Sequence, residues 1–282
     1  MKRPGISVVT INYNDAHGLK QTVSSVLAQK YDNLEYIVID GGSSDDSQKI
    51  IEEVSEKVDY WVSEKDRGIY DAMNKGLARA TKDWVLFLNS GDSFAHENVL
   101  SAASNFLSEE VDVFFGNSTK LLQDGSSVAR RANGNIDELW KGPFFRHGAI
   151  FFRTSLHRKN PYEVSKKLAV AADFDLIYRL YAEGHKYEFI DVEILCYVEG
   201  GVSDSYKKNL SDNFRVIRKY HSMFSSRSFF YFKKLFSLFL RDNFVRRMLS
   251  KIKLINSRFF GHYLPNYIIG KIPFYVLRHL YY

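Results

Sequence analysis

Hydrophobic residues recur through the first half of the chain as short continuous runs that alternate with helical spacings. Runs rich in β-branched residues predict strands, and apolar positions three or four residues apart predict helices. The strands predicted here are Ile6–Ile11, Leu34–Asp40, Tyr60–Val62 and Val85–Leu88, and the helices are Leu19–Leu27, Ile50–Val54 and Ile69–Ala80. This alternation is typical of a doubly wound, mostly parallel sheet, so we expect an α/β fold.

The pattern changes after Asp92 and predicts fewer strand–helix pairs. A hairpin is expected where Asp124 and Gly125 divide two short polar–apolar runs. The predicted elements are a helix at Glu97–Leu107, a strand at Val111–Gly116, hairpin strands at Thr119–Gln123 and Val128–Arg131, a strand at Ala149–Phe152, a helix at Ala171–Ala182, and strands at Tyr187–Ile190 and Ile194–Val198.

Composition narrows the class of protein. Apolar residues make up 45% of the 282 residues, and Cys196 is the single cysteine, which excludes an intramolecular disulfide and a cysteine-rich metal site. The first residues do not resemble a signal peptide, and no uninterrupted apolar segment reaches the ~18 residues that span a bilayer. We therefore expect a cytoplasmic location.

Charge is distributed unevenly along the chain. Residues 207–282 hold 16 Lys or Arg and 2 Asp or Glu, whereas residues 1–206 carry a net negative charge. This division predicts a catalytic domain at residues 1–206 and a basic, aromatic-rich extension at residues 207–282. A basic extension on an acidic body indicates contact with an anionic surface.

The loops that follow the first strands carry the candidate chemistry. The loop Asn12–Gly18 has neither glycine-rich phosphate motif, which argues against a dinucleotide dehydrogenase and a P-loop enzyme. Asp40 ends the second strand, where an acid either bonds to a nucleoside or caps its own turn. Without a glycine-rich loop, a divalent ion such as Mg²⁺ or Mn²⁺ is the usual partner of a diphosphate, and Asp92 is a candidate ligand.

One turn and two single residues have both a functional and a structural interpretation. The turn Asn89–Asp92 follows a buried strand, and such a turn faces the ligand site of a parallel sheet or simply ends the strand. Asp173 lies at a predicted helix N-terminus, where an acid is also stabilised by the helix dipole. His147 is either a ligand contact or a structural residue beside an aromatic loop.

Five stretches of the chain resemble glycosyltransferase family 2, whose members have the GT-A fold. They are Ser7–Thr10 with Asn12–Asn14, Val38–Asp45, Glu64–Gly76, Phe87–Asp92 and His147–Phe152, in the order and spacing of that family. The last three are closest to a bacterial branch that makes polysaccharides of the colanic-acid and capsule type. The resemblance extends over about residues 5 to 205.

The resemblance implies a role for each matching residue. Tyr13 would lie against the nucleotide base and Asp40 would bond to it, while Asp92 would bind the metal and Asp173 would be the catalytic base. The remaining residues expected to contact the donor are Ile11, Asn12, Asp71, Asn74, Lys75, Asn89, Ser90 and Gly91. The chain departs from the family where Asn89–Asp92 keeps one carboxylate of the usual Asp-x-Asp-Asp, and where Met73 replaces an arginine. The departure predicts weaker metal binding, or assistance from Asp71 and Lys75.

The function implied is inverting hexosyl transfer from a nucleotide-diphosphate sugar, most simply a UDP-sugar, with Mg²⁺ or Mn²⁺ as cofactor. The acceptor would be lipid-linked or an oligosaccharide, in surface polysaccharide biosynthesis. Because the acidic motif keeps a single carboxylate, a second interpretation stays open, in which the protein binds a nucleotide sugar or a partner without catalysis. A nucleotidyltransferase is a weaker third option, because no glycine- and lysine-rich loop for a nucleotide triphosphate follows the first strand.

The extension contains a predicted amphipathic helix. Its apolar face holds Phe232, Leu235, Phe236, Phe239 and Leu240, and its polar face holds Lys233, Lys234, Ser237 and Arg241. Arg246, Arg247, Lys251, Lys253 and the aromatic residues of 259–282 extend this character. Such a helix either lies on the inner face of the plasma membrane or packs on the catalytic domain or a second copy in a homo-oligomer. No nucleic-acid motif accompanies the basic residues, so no nucleic-acid partner is expected.

Overall fold

The computed structural model describes residues 3–164, 171–198 and 206–241. Within them the strands are β1 (Ile6–Asn12), β2 (Leu34–Asp40), β3 (Tyr60–Ser63), β4 (Trp84–Phe87), β5 (Ser93–Phe94), β6 (Val113–Leu121), β7 (Ser127–Arg130), β8 (Ile150–Arg153) and β9 (Tyr187–Val198). The α-helices are α1 (Ala16–Leu27), α2 (Ser47–Glu53), α3 (Ile69–Arg79), α4 (Val99–Ser104), α5 (Thr154–Lys159), α6 (Ala172–Ala182), α7 (Tyr206–Tyr220) and α8 (Ser226–Arg241), and 3-10 helices lie at Ser55–Lys57, Ile136–Lys141 and His147–Ala149.

All nine strands belong to one mixed sheet with the order β3-β2-β1-β4-β8-β6-β9-β5, and β7 pairs with β6. The first four strands are mutually parallel, as their alternation with helices predicts. Every residue of β1 is buried, which is typical of a strand covered on both faces. Asn12 and Asp40 are partners in the register of β1 and β2, so the carboxyl ends of these strands meet at one edge.

The sheet becomes mixed after β4. Strand β8 lies antiparallel to β4 and β6, whereas β6 and β9 run parallel. The two predicted runs around residues 111–123 form the single strand β6, and the two late strands form the single strand β9. Register shifts near Asn117 interrupt the β6–β9 ladder. Such irregularities break the alternation of a strand, so its sequence pattern resembles two short strands. The predicted hairpin forms between β6 and β7, while the two-residue strand β5 was not predicted.

Helix α7 packs on α6. Leu210, Val216 and Ile217 of α7 are buried, and Lys219 Nζ lies 2.9 Å from Asp175 Oδ1. The chain divides into two compact units after Tyr231, so α7 lies in the same unit as the sheet although the predicted domain boundary precedes it.

Helix α8 contains the amphipathic segment predicted for the extension, and the rings of Phe232 and Phe236 stack within it with centroids 6.0 Å apart. The predicted basic and aromatic residues from 246 to 282 lie outside the described residues. Among the helices that are described, none has the length and apolar character needed to cross a membrane.

Candidate functional site

The loops after β1 and β2 are joined by a network centred on Asp40. Asn12 Nδ2 donates to Asp40 Oδ1 at 2.7 Å, and Ser63 Oγ at the end of β3 donates to Asp40 Oδ2 at 2.6 Å. The backbone nitrogens of Gly42 and Ser43 and the Ser43 hydroxyl complete five hydrogen bonds to this carboxylate. The network fixes the carboxyl ends of three parallel strands against one another.

Asp40 is fully buried within this network. Burial alone raises the pKa of a carboxyl group, but the hydrogen bonds from Ser43, Ser63 and Asn12 outweigh it and hold the pKa of Asp40 below its usual value. Asp40 is therefore ionised and engaged by the protein itself, which makes it an organiser of the loop.

Tyr13 and Asp66 meet above Gly41. The Tyr13 side chain is 65% exposed directly after β1, which suits an aromatic surface for a nucleotide base. A Cβ atom on residue 41 would overlap Asp66 Oδ2 and approach Tyr13 Cδ2 to 3.2 Å, so a larger residue here would displace the Asp66 carboxylate. Asp66 Oδ1 accepts a hydrogen bond from Gly68 N at 2.7 Å, and Oδ2 lies against Gly41. Asp66 was not singled out from the sequence, although it lies in the motif Glu64–Gly76.

The three donor-site residues predicted on α3 hold neighbouring segments. Asp71 pairs with Arg67 at 2.7 Å, and this hydrogen-bonded pair lowers the pKa of Asp71. Lys75 pairs with Glu64 at 2.7 Å. Asn74 exchanges two hydrogen bonds with the backbone of Tyr162. These contacts tie α3 to the β3–α3 loop and to the segment after α5.

The turn after β4 wraps around a buried hydroxyl on α1. Gly91 N donates to Thr22 Oγ1 at 3.1 Å, and that hydroxyl lies 2.6 Å from the carbonyl oxygen of Asp92. Gly91 has a φ of +88°, a conformation that favours glycine. Ser90 Oγ donates to Asn12 Oδ1 at 2.8 Å, which links the turn to the Asp40 network. Thr22 carries no sequence signal of this role, because it is one polar residue inside a helix.

Asp92 projects from this turn without a hydrogen-bond donor among the described residues. Burial raises the pKa of Asp92 to about 7, and the Arg146 guanidinium opposes this rise. Asn89 Oδ1 in the same turn is buried and accepts no hydrogen bond from the described residues. Two oxygen atoms suited to a hard cation are thus unengaged in one turn.

Asp173 lies at the start of α6 and faces Tyr70. Tyr70 Oη and Phe174 N donate to Asp173 Oδ1 at 3.2 and 2.7 Å, while Oδ2 accepts no hydrogen bond from the described residues. Burial raises the pKa of Asp173, and Phe174, Tyr70 and Arg146 act in the opposite direction. A carboxylate with one anchored and one open oxygen is suited to accept a proton.

Arg146 connects the two acids. Its guanidinium stacks over the Tyr197 ring at 4.2 Å and donates to Tyr197 Oη at 3.0 Å. Ser93 pairs with Cys196 in the antiparallel β5–β9 register, and Asp92 and Tyr197 are the chain neighbours of this pair. The charge of Arg146 lowers the pKa values of both Asp92 and Asp173, against the effect of burial.

His147 lies in an aromatic cluster below these acids. It shares a 2.6 Å hydrogen bond with Tyr162 Oη, and its ring lies 5.5 Å from that of Phe87. Burial lowers the pKa of His147 to about 4, so the ring is neutral at pH 7. Tyr162 lies 5.5 Å from the Tyr70 ring, which links this cluster to the partner of Asp173. The geometry agrees with the structural interpretation of His147.

A metal ion fits this site if the substrate supplies further ligands. The described residues contain no cluster of three or more His, Cys, Asp and Glu side chains. Mg²⁺ commonly binds to one or two carboxylates together with substrate phosphates, and Asp92 satisfies the protein's part of that requirement. Asp71 and Lys75, expected as helpers, are paired with other residues.

Comparison with known proteins gives a consistent result. The model of the family described as Glycosyl transferase family 2 matches residues 7–161. An uncharacterized glycosyltransferase from Mycobacterium tuberculosis is 47% identical over 106 residues, which cover 37% of this chain and 40% of that relative. A PGL/p-HBAD biosynthesis glycosyltransferase from Mycobacterium bovis is 27% identical over 73% of this chain and 81% of its own length.

Solved structures share the fold. S. aureus TarS 1-349 in complex with UDP-GlcNAc has a TM-score of 0.61 and 18% identity, over 82% of this chain and 70% of TarS 1-349. A mannosyltransferase from Pyrobaculum calidifontis in complex with GDP-Man and Mn²⁺ has a TM-score of 0.57 and 16% identity, over 77% of this chain and 65% of that protein. The expected α/β fold of the GT-A type is thereby confirmed.

Proposed function

The chain belongs to glycosyl transferase family 2, and on this basis we propose that it transfers a hexosyl group from a UDP-sugar to a hydroxyl group with inversion. The observation that carries the proposal is that Arg146 acts electrostatically on two buried acids. Asp92 accepts no hydrogen bond from the described residues, and Asp173 has one anchored and one open oxygen. Solved relatives of the same fold bind UDP, UDP-GlcNAc and GDP-Man.

The donor would occupy the carboxyl edge of the parallel strands. Tyr13 would cover the base, and Asp66 Oδ2 would accept a hydrogen bond from it, since the Asp40 carboxylate is already engaged. Asp40, Asn12 and Ser90 would act by fixing the loops. The diphosphate would extend toward Asp92 and Arg146, whose guanidinium provides a permanent charge where the family motif has lost carboxylates.

The reaction is a single displacement. The acceptor oxygen attacks the anomeric carbon, the bond to the diphosphate oxygen breaks, and the electron pair leaves with the nucleotide. Asp173 Oδ2 takes the acceptor proton, while Tyr70 and the Phe174 amide hold Oδ1. Arg146 balances the charge that develops on the leaving diphosphate. A Mg²⁺ or Mn²⁺ ion on Asp92, when bound, supplies Lewis-acid stabilisation of the same group.

This proposal is tested by assaying the wild type and Asp173→Asn for transfer from a panel of nucleotide-sugar donors. We expect the variant to lose about 10²–10⁴-fold in transfer, because it removes the base, and to keep UDP binding in calorimetry. Glu183→Gln, at the exposed end of the same helix, is the matched control and should retain activity. Near-normal turnover by Asp173→Asn contradicts its assignment as base.

A protein that binds nucleotide sugars without catalysis is the second candidate, favoured by the single carboxylate of Asn89–Asp92. In the same panel such a protein would gain thermal stability from a donor without releasing nucleotide. If the wild type releases nucleotide from a donor and Asp173→Asn does not, the protein is an enzyme and the second candidate is wrong.

We further propose that the acceptor is lipid-linked or an oligosaccharide of a surface polysaccharide, and that the protein works at the cytoplasmic face of the membrane. The basic extension, with 16 Lys or Arg against 2 acidic residues, supports attraction to anionic lipid. The amphipathic helix α8 supports an interfacial position.

A further inference from the structure

The turn between α7 and α8 exposes two large apolar side chains. Phe224 is 97% exposed, the highest value of any large apolar residue that the structure describes, and Met223 beside it is 53% exposed. Both lie between the end of α7 at Tyr220 and the start of α8 at Ser226. Adjacent exposed apolar side chains form a contiguous patch, and exposed apolar patches mark sites of contact with a membrane or a partner.

This turn has a fixed backbone. Ser225 N and Ser225 Oγ both donate to Ser222 O, at 3.1 and 2.9 Å. Ser228 N donates to Ser225 Oγ at 3.2 Å, and Arg218 Nη1 donates to His221 O at 2.8 Å. The exposed side chains therefore project from a structured turn between two helices. Little backbone entropy is lost if they insert into a membrane or a partner.

A cleft with a cation lies beside the same turn. It has a volume of about 460 Å³ and is lined by Tyr178, Tyr181, Ala182, Tyr220, His221 and Arg227. Arg227 contacts Tyr178 Oη and His221 Nε2, at 3.4 and 3.1 Å, and no carboxylate of the described residues pairs with it. The cleft thus holds a guanidinium that pairs with no carboxylate of the described residues, and Arg227 follows Phe224 by three residues in the chain.

We propose that the α7–α8 turn is a membrane anchor, with Met223 and Phe224 in the acyl boundary of an anionic bilayer and Arg227 on a lipid phosphate. An apolar tip flanked by a cation matches the layering of apolar chains below charged headgroups. The excess of basic residues after position 206 favours an anionic bilayer over a neutral one. This proposal rests on the membrane association proposed above and adds a specific point of insertion.

Vesicle co-sedimentation of the full chain tests it. We expect Phe224→Ser to bind vesicles of phosphatidylglycerol and phosphatidylcholine about tenfold more weakly than the wild type, since an apolar side chain leaves the bilayer. Phe106→Ser is the matched control, because Phe106 is also exposed, at 46%, but follows α4. Arg227→Gln should reduce binding to the anionic vesicles and leave binding to pure phosphatidylcholine unchanged.

The outcomes separate this proposal from the proposed function. If Phe224→Ser binds like the wild type while Lys233→Gln/Lys234→Gln loses binding, the extension meets the membrane and the turn is not an anchor. If wild-type dimers seen by light scattering dissociate in Phe224→Ser, the turn is a protein interface and the proposal is wrong. Transfer of sugar to a water-soluble acceptor should be equal in all these variants. If the wild type itself transfers no sugar in that assay, the proposed function is wrong, and the vesicle result still tests the anchor.

Discussion

At the scale of single residues, the acids of this protein divide by their partners. Asp40 and Asp71 are held by donors from the chain, and their pKa values are lowered. Burial raises the pKa values of Asp92 and Asp173, and neither the charge of Arg146 nor, at Asp173, the hydrogen bonds from Phe174 and Tyr70 cancel this rise. Acids whose burial is not compensated within the protein are candidates for chemistry.

Arg146 and Asp92 should differ in how they depend on metal. We expect Asp92→Ala to weaken UDP binding roughly tenfold with Mn²⁺ and little in EDTA, because its oxygen acts through the ion. Arg146→Gln should weaken binding by about tenfold in both conditions, since a charge-assisted contact is lost. Arg79→Gln is the control, as Arg79 also stacks on a tyrosine ring, that of Tyr60 at the amino end of β3. Titration calorimetry measures these affinities, and equal loss for Asp92→Ala in EDTA contradicts a metal role.

Tyr70 should tune the pH dependence of the reaction. Its hydroxyl stabilises the Asp173 carboxylate, so Tyr70→Phe raises the pKa of Asp173 further. We expect the acidic limb of the kcat/KM profile to move to higher pH, because the base must be ionised. Tyr181→Phe, which removes a hydroxyl that bonds to Asp137 elsewhere, should leave the limb in place. An unmoved limb in Tyr70→Phe shows that Asp173 does not set it.

The same pKa has the opposite effect on stability. The folded-state pKa of Asp173 lies above its unfolded value, so its contribution to stability is complete below the unfolded pKa. This contribution is lost as the pH rises through the folded pKa. Activity that depends on ionised Asp173 therefore increases over the range in which this contribution decreases.

At the scale of elements, the turn Asn89–Asp92 depends on α1. Thr22→Val keeps the shape of the side chain but leaves Gly91 N and the Asp92 carbonyl without the hydroxyl. We expect a loss of about 1–3 kcal/mol in stability, together with weaker UDP binding in Mn²⁺, because Asp92 loses its fixed position. Ser24→Ala removes an exposed hydroxyl from the same helix and is the control. Thermal unfolding and calorimetry measure both, and normal metal-dependent binding in Thr22→Val contradicts this dependence.

At the scale of the whole molecule, α7 is part of the unit that contains the sheet. Deletion of residues 207–282 removes the buried residues Leu210, Val216 and Ile217, and leaves Asp175 without Lys219. We expect a loss of several kcal/mol or insoluble protein, since each buried aliphatic side chain contributes roughly 2–5 kcal/mol. Deletion of residues 232–282 keeps this unit and should change the melting temperature of the sheet domain little. Equal melting temperatures of the two truncated chains would show that α7 contributes nothing.

The sequence by itself determined β1–β4, the helices between them and the polar residues at their carboxyl ends. Those features follow from local hydrophobic periodicity, which a window of about ten residues already shows. It also pointed to Asp92 and Asp173, because each lies beside a recognisable element boundary. The resemblance to the family added their roles.

Only the tertiary structure decided which of these residues are free to act. Tyr197 stacks with Arg146 from 51 positions away, and Thr22 holds a turn about 70 positions along. Such contacts depend on sheet order and on the β5–β9 register, which no local pattern encodes. The pairing of Asp71 and Lys75 with their own loop was equally invisible, because the sequence shows a charge but not its partner.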